Sequence, residues 1–144
     1  MSYFDSAYIA KFYLDEPESD AVRHLAESIG RVECAAIGQI EVAAVFHRKF
    51  REGAFGFGAF REIMAQFDQD CVEGLWTWLP ITAALAAETA NAFARLPRSV
   101  FLRTADALHL TCARKHGARE IYTNDRHMVA AARHFRLAPL TVGR

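Results

Sequence analysis

A chain of 144 residues, 52% of them hydrophobic, is long enough for one domain with a real core, burying roughly 68–70% of its unfolded surface. Its 17 basic and 17 acidic residues cancel, which excludes the strongly basic signature of many nucleic-acid binders. No apolar run reaches the ~20 residues that span a bilayer and no secretion signal opens the chain, so a cytosolic protein without a membrane partner is expected.

Residues 3–4 form a short apolar strand broken by Asp5 and Ser6. Ser6 caps a helix running to about residue 14, which Asp15, Glu16 and Pro17 end. Pro17 suits the first turn of a second helix, whose Val22, Leu25, Ala26 and Ile29 share a face and which Gly30 closes. Residues 32–36 read as a second strand. A third helix follows over 39–52, with Val42, Val45, Phe46 and Phe50 at helical spacing and Gly53 as its stop. The glycine-dense 53–58 segment is a turn. Phe60, Ile63, Met64, Phe67 and Cys71 mark a fourth helix that Gly74 ends.

Residues 75–79 are a third strand, expected to be central, with Trp76 and Trp78 in the core. Thr82 begins an alanine-rich helix that Pro97 ends, and 104–116 forms another, capped by Thr104. Residues 121–123 are the fourth strand. The next helix carries Met128, Ala131, Ala132 and Phe135 on one face, and 137–142 is a last short strand. Short strands alternating with helices predict an α/β fold with a parallel sheet covered on both faces. With no repeat, low-complexity tract or linker in view, residues 1–144 are expected to form one domain.

The cysteines Cys34, Cys71 and Cys112 are odd in number and far apart, with no Cys-x-x-Cys pair and no histidine at zinc spacing. Reduced, packed thiols are expected. No Gly-x-Ser-x-Gly elbow and no Walker-type glycine loop is present.

The acids carry the chemistry. Asp5 follows the first strand, Asp125 follows the fourth, Glu41 falls in the first turn of the third helix, and Asp106 in the first turn of the 104–116 helix. In an open parallel sheet the strand ends and the following helix starts share one edge, where ligands bind. Taken singly, each acid is ordinary: a carboxylate in a helix first turn gains ~0.3–1 kcal/mol from the helix dipole. Taken together they repel unless a cation stands among them. Mg²⁺ or Mn²⁺ suits such oxygen ligands, and the chemistry it brings is phosphodiester hydrolysis by an activated water.

Several of these segments resemble the PIN-domain ribonucleases, and among them the VapC-type toxins of toxin–antitoxin pairs. They are Tyr3-Phe4-Asp5-Ser6-Ala7, Glu16-Pro17, Ile40-Glu41-Val42, the run from Arg103 to Leu110, and Ile121-Tyr122-Thr123-Asn124-Asp125. The resemblance runs over essentially the whole chain. It implies a three-layer PIN-like domain with a short central parallel sheet flanked by helices. Asp5, Glu41, Asp106 and Asp125 would then be both the catalytic quartet and the ligands of Mg²⁺ or Mn²⁺. It further implies endonucleolytic RNA cleavage, a homodimer, and a cognate VapB-like antitoxin. Ala36 and Ala7 depart from positions that are often polar in relatives, which bears on substrate preference and rate.

Arg103 and Arg126 flank site acids, to hold phosphate or to neutralise the carboxylates. His109, three residues past Asp106, reads as a packing residue, and no histidine is assigned to the metal. Phe46, Phe50, Phe55, Phe57 and Phe60 surround the glycine-rich turn, where an amphipathic partner helix could dock. Two rival functions stand beside the nuclease. A phosphatase using Asp5 as nucleophile would want an aspartate where Ala7 stands, and a non-catalytic binding module would be expected to lose acids that this chain keeps.

Overall fold

The computed structural model describes residues 2–143, so Met1 and Arg144, the ends of the expected 1–144 span, lie outside the described residues. In chain order the elements are β1 (Ser2–Phe4), α1 (Ser6–Tyr13), α2 (Ser19–Ile29), β2 (Val32–Ala35), α3 (Ile37–Arg51), α4 (Phe57–Glu73) and β3 (Trp76–Leu79). Then come α5 (Ala83–Arg95), α6 (Thr104–Lys115), β4 (Glu120–Tyr122), α7 (Arg126–Ala132), a single 3-10 turn (Arg133–Phe135) and β5 (Ala138–Leu140). The punctuation residues work as their chemistry demands. Gly30 and Gly74 close α2 and α4 in the left-handed conformation, at φ +76° and +80°, and Thr82 caps α5 by accepting the Leu85 N–H.

All five strands pair in parallel, in the order β3-β2-β1-β4-β5. The chain therefore builds outward from β1 on one side through β2 to β3, then returns to add β4 and β5 on the other. That reversal makes the β1–β4 junction the switch point where an α/β sheet opens a crevice beyond its strand ends.

Successive strand residues face opposite layers, and the core divides accordingly. Tyr3 and Ala35 join Leu85, Leu110, Ile121, Met128 and Ala131 beneath α5, α6 and α7. Phe4 and Cys34 join Ile9, Val22, Val42, Phe46, Phe67 and Trp76 beneath α1–α4. This is the three-layer, helix–sheet–helix architecture that the resemblance implies.

Three expectations are corrected. The tryptophan strand β3 is an edge strand, paired only with β2. Trp76 is buried because the rings of Phe12 and Tyr13 pack on it and its Nε1 donates to the Tyr13 hydroxyl (2.7 Å); helices cover it where a second strand was expected. Trp78 is only half-buried. Next, α3 begins at Ile37 instead of residue 39, which moves Glu41 beyond the first turn. Lastly, Ser6 and Thr104 are first helical residues, not caps: the cap positions belong to Asp5 and Arg103.

Phe46 has no exposed surface and meets Tyr13 and Phe67 edge-on, at ring separations of 5.6 and 5.7 Å. Phe46→Ala is expected to cost ~3–5 kcal/mol in urea unfolding, with the denaturant slope unchanged. A loss below ~1 kcal/mol would contradict its place in the core.

Candidate active site

All four sequence-predicted acids come to the carboxyl edge of the sheet, around the β1–β4 switch point. Asp5 leaves β1 and caps α1, its Oδ1 accepting the Tyr8 N–H at 2.9 Å. Asp125 follows β4 and caps α7, its Oδ1 accepting the His127 and Met128 N–H groups at 2.9 and 3.0 Å. Asp106 stands in the first turn of α6, and Glu41 lies one turn into α3.

Thr123, with no exposed surface, ties two of them together. Its hydroxyl donates to Asp5 Oδ2 at 2.5 Å and accepts the Asp125 N–H at 3.1 Å. Arg103 ties the third: its Nε donates to Asp106 Oδ2 at 3.0 Å and its Nη2 to Asp125 Oδ2 at 3.1 Å. The hydrogen bond to Asp106, then the charges of Asp106, Asp125 and Glu41, hold the Arg103 guanidinium above its ordinary value. One cation therefore feels three of the four acids.

Asp5 is the costly member. Burial raises its pKa from 3.8 to about 6, and nearby Asp125 adds to the rise; the bonds from Thr123 and Tyr8 and the charge of His109 oppose it. Burial, followed by the charges of Asp5 and Glu41, also pushes the Cys34 thiol well above its ordinary range, so these two acids share one neighbourhood.

In kind, four carboxylates fit a hard divalent cation. In arrangement, no group of three or more His, Cys, Asp or Glu among the described residues is disposed to hold a metal ion as it stands. Arg103 supplies the positive charge between Asp106 and Asp125 instead. Its side chain is 61% exposed.

His109 was read from the sequence as packing. It is buried, with Nε2 at 2.5 Å from Glu41 Oε1 and Nδ1 at 2.7 Å from the Tyr3 hydroxyl. Its place three residues beyond Asp106 was the available signal; its link to Glu41 on another helix was not visible. Arg126 is exposed at the start of α7 and forms no ion pair among the described residues.

A cavity of about 500 Å³ lies elsewhere, between the carboxyl-terminal halves of α5 and α6. Its Arg95, Arg114 and Lys115 occupy the last turns of those helices, where cations offset the carbonyl ends.

Comparison with known proteins agrees with this architecture. A family model of the PIN domain matches residues 2–134. No curated protein matches the chain. Among solved structures, the crystal structure of Mycobacterium tuberculosis VapC20, described as a sarcin-ricin loop cleaving toxin, superposes with a TM-score of 0.69. It is 17% identical, over 91% of this chain and 95% of that one, so the likeness is one of fold.

The Asp5 shift sets a pH dependence in metal-free protein. Because the folded state holds the Asp5 proton up to about pH 6, the folded state binds more protons than the unfolded one between pH 3.8 and about 6. Asp5 therefore penalises folding fully above about pH 6 and progressively less as pH falls toward 3.8. Asp5→Asn is expected to stabilise the protein by ~1–2 kcal/mol at pH 7.5, and by clearly less at pH 5. A gain independent of pH would show that burial of the charge is not its source.

Proposed function

This chain belongs to the PIN-domain family, and from that premise we propose that it is a metal-dependent endoribonuclease, the toxin of a type II toxin–antitoxin pair. The observation that carries the reading is the gathering of Asp5, Glu41, Asp106 and Asp125, from four separate segments, about one switch point and one bridging arginine. These are the carboxylates that would hold Mg²⁺ or Mn²⁺. Once bound, such an ion supplies a Lewis acid for the phosphoryl oxygen and a water of lowered pKa.

The protein's own part is to pin and to balance. Backbone N–H groups and Thr123 fix Asp5 and Asp125, so those two carboxylates lose little freedom when a ligand arrives. Arg103 is placed to leave the acids and pair with an RNA phosphate, for which its planar fork is suited. The phosphatase reading is less well supported. Asp5 is 4% exposed and both its oxygens accept hydrogen bonds, a poor state for a nucleophile.

The toxin assignment brings with it a homodimer, a cytoplasmic setting and a VapB-like antitoxin, with residues 1–144 acting as one domain. The α3–α4 turn is the surface we assign to the antitoxin: Phe50 and Phe60 stack at 4.9 Å, and Phe57 beside them is 60% exposed. No helix of the described residues is long and apolar enough to cross a membrane.

Purified protein is expected to cut RNA internally with Mn²⁺ and to stop on addition of EDTA. Asp106→Asn should lower the rate by more than the roughly 10–100-fold that a merely supporting contact costs. Cleavage that survives EDTA would overturn the metal mechanism. Growth arrest on expression of the wild type, absent with Asp106→Asn, tests the toxin assignment separately. For Arg103→Ala, Mn²⁺ titrated calorimetrically should bind about three- to tenfold more tightly, since a competing cation is gone, while KM for RNA rises. Unchanged Mn²⁺ affinity would show that Arg103 does not compete.

A further inference from the structure

A file of polar atoms leads from the backbone of β2 to Glu41, and for a neutral His109 ring its hydrogen-bond accounting has one solution. The Ala35 N–H donates to the Tyr3 hydroxyl oxygen at 2.9 Å. That oxygen lies 2.7 Å from His109 Nδ1, and His109 Nε2 lies 2.5 Å from Glu41 Oε1. An ionised carboxylate only accepts, so Nε2 must carry the ring hydrogen. Nδ1 is then the acceptor, and the Tyr3 O–H must be its donor. Burial, followed by the charges of Cys34 and Cys112, holds the Tyr3 phenol well above its ordinary range, which keeps that hydrogen in place.

From this arrangement we propose that His109 is a positioning residue that orients Glu41 by donating from Nε2, with Tyr3 fixing the tautomer. The inference deepens the nuclease reading and rests on it for what Glu41 does. Glu41 is the one acid of the four whose side chain is hydrogen-bonded by no backbone N–H, Thr123 hydroxyl or Arg103 guanidinium among the described residues. It is also the longest of them, with the most rotamers to lose on binding anything. Anchoring Oε1 leaves Oε2 directed by the rest of the carboxylate plane.

Packing brings the partners within reach. Gly38 lies one turn before Glu41, and a Cβ there would stand 2.4 Å from Cys34 Sγ, 3.2 Å from the Trp78 ring and 3.6 Å from His109 Cε1. Only glycine lets α3 settle this close to β2 and α6. Tyr3 and His109, both about 1% exposed, are held edge-on with ring centroids 6.0 Å apart.

Nitrogen-15 NMR of the full-length protein, without metal, reads the tautomer directly. His109 is expected to show a protonated Nε2 and a bare Nδ1, and Tyr3→Phe, which keeps the ring volume, should convert it to a mixture. With RNA and Mn²⁺, His109→Leu should lower kcat about tenfold or more with KM changed less than about twofold, and His109→Gln, whose amide can still donate to Glu41, should recover most of it. A hydrogen on Nδ1 in the wild type would overturn the proposal, as would a tautomer indifferent to Tyr3→Phe. A folded His109→Leu protein with wild-type kcat would do the same. Should the wild type cut no RNA at all, the nuclease reading fails, and the NMR arms still decide whether Tyr3 and His109 hold Glu41 in this way.

Discussion

Like charge at close quarters is the constraint around which this molecule is arranged. Four carboxylates meet at one edge of a parallel sheet, and one of them, Asp5, is buried to the point that its pKa climbs to about 6. Such a cluster lowers stability unless each charge is met by a donor. The fold supplies donors in three forms: helix N-terminal amides for Asp5 and Asp125, the Thr123 hydroxyl for Asp5, and the Arg103 guanidinium for Asp106 and Asp125. Among these donors the Arg103 side chain is 61% exposed, and in the proposed function it is the exchangeable part of the balance.

At Asp125 the helix-capping contact and the arginine contact do not compete. Asp125 caps α7 through Oδ1 and meets Arg103 through Oδ2, so the ordinary turn chemistry and the site chemistry belong to different oxygens of one side chain. Glu41 divides its work similarly, with Oε1 against His109. A carboxylate with one oxygen committed to the scaffold is already oriented before any ligand arrives, which is the condition for low reorganisation cost at a reactive site.

Much of this was legible in the residues. Helical periodicity located the faces carrying Val22, Val42, Phe46 and Met128, all of which are buried, because a 3.6-residue repeat leaves no other stripe to cover. The edge position of the four acids followed from their places just after strands or early in helices, and it is realised at the β1–β4 junction. Strand order was not legible. The tryptophans of β3 signalled burial, which Phe12 and Tyr13 on a helix provide for Trp76, and nothing local distinguishes cover by a helix from cover by a strand. Nor was the Tyr3–His109–Glu41 file, whose members are separated by up to 106 residues and meet only through the packing of α3 and α6 on β2. The bridging role of Arg103 was one of two open alternatives, and side-chain geometry decides for contact with the acids in the free protein.

The proposed activity depends on those four carboxylates acting together on a doubly charged ion. Anomalous scattering from a crystal grown with Mn²⁺ tests that most directly. Manganese density coordinated by Asp5 and Asp106 at the sheet edge, with Arg103 displaced from its bridge, is the predicted result. Manganese bound elsewhere, or an intact Arg103 bridge at saturating Mn²⁺ with no ion among the acids, would contradict it.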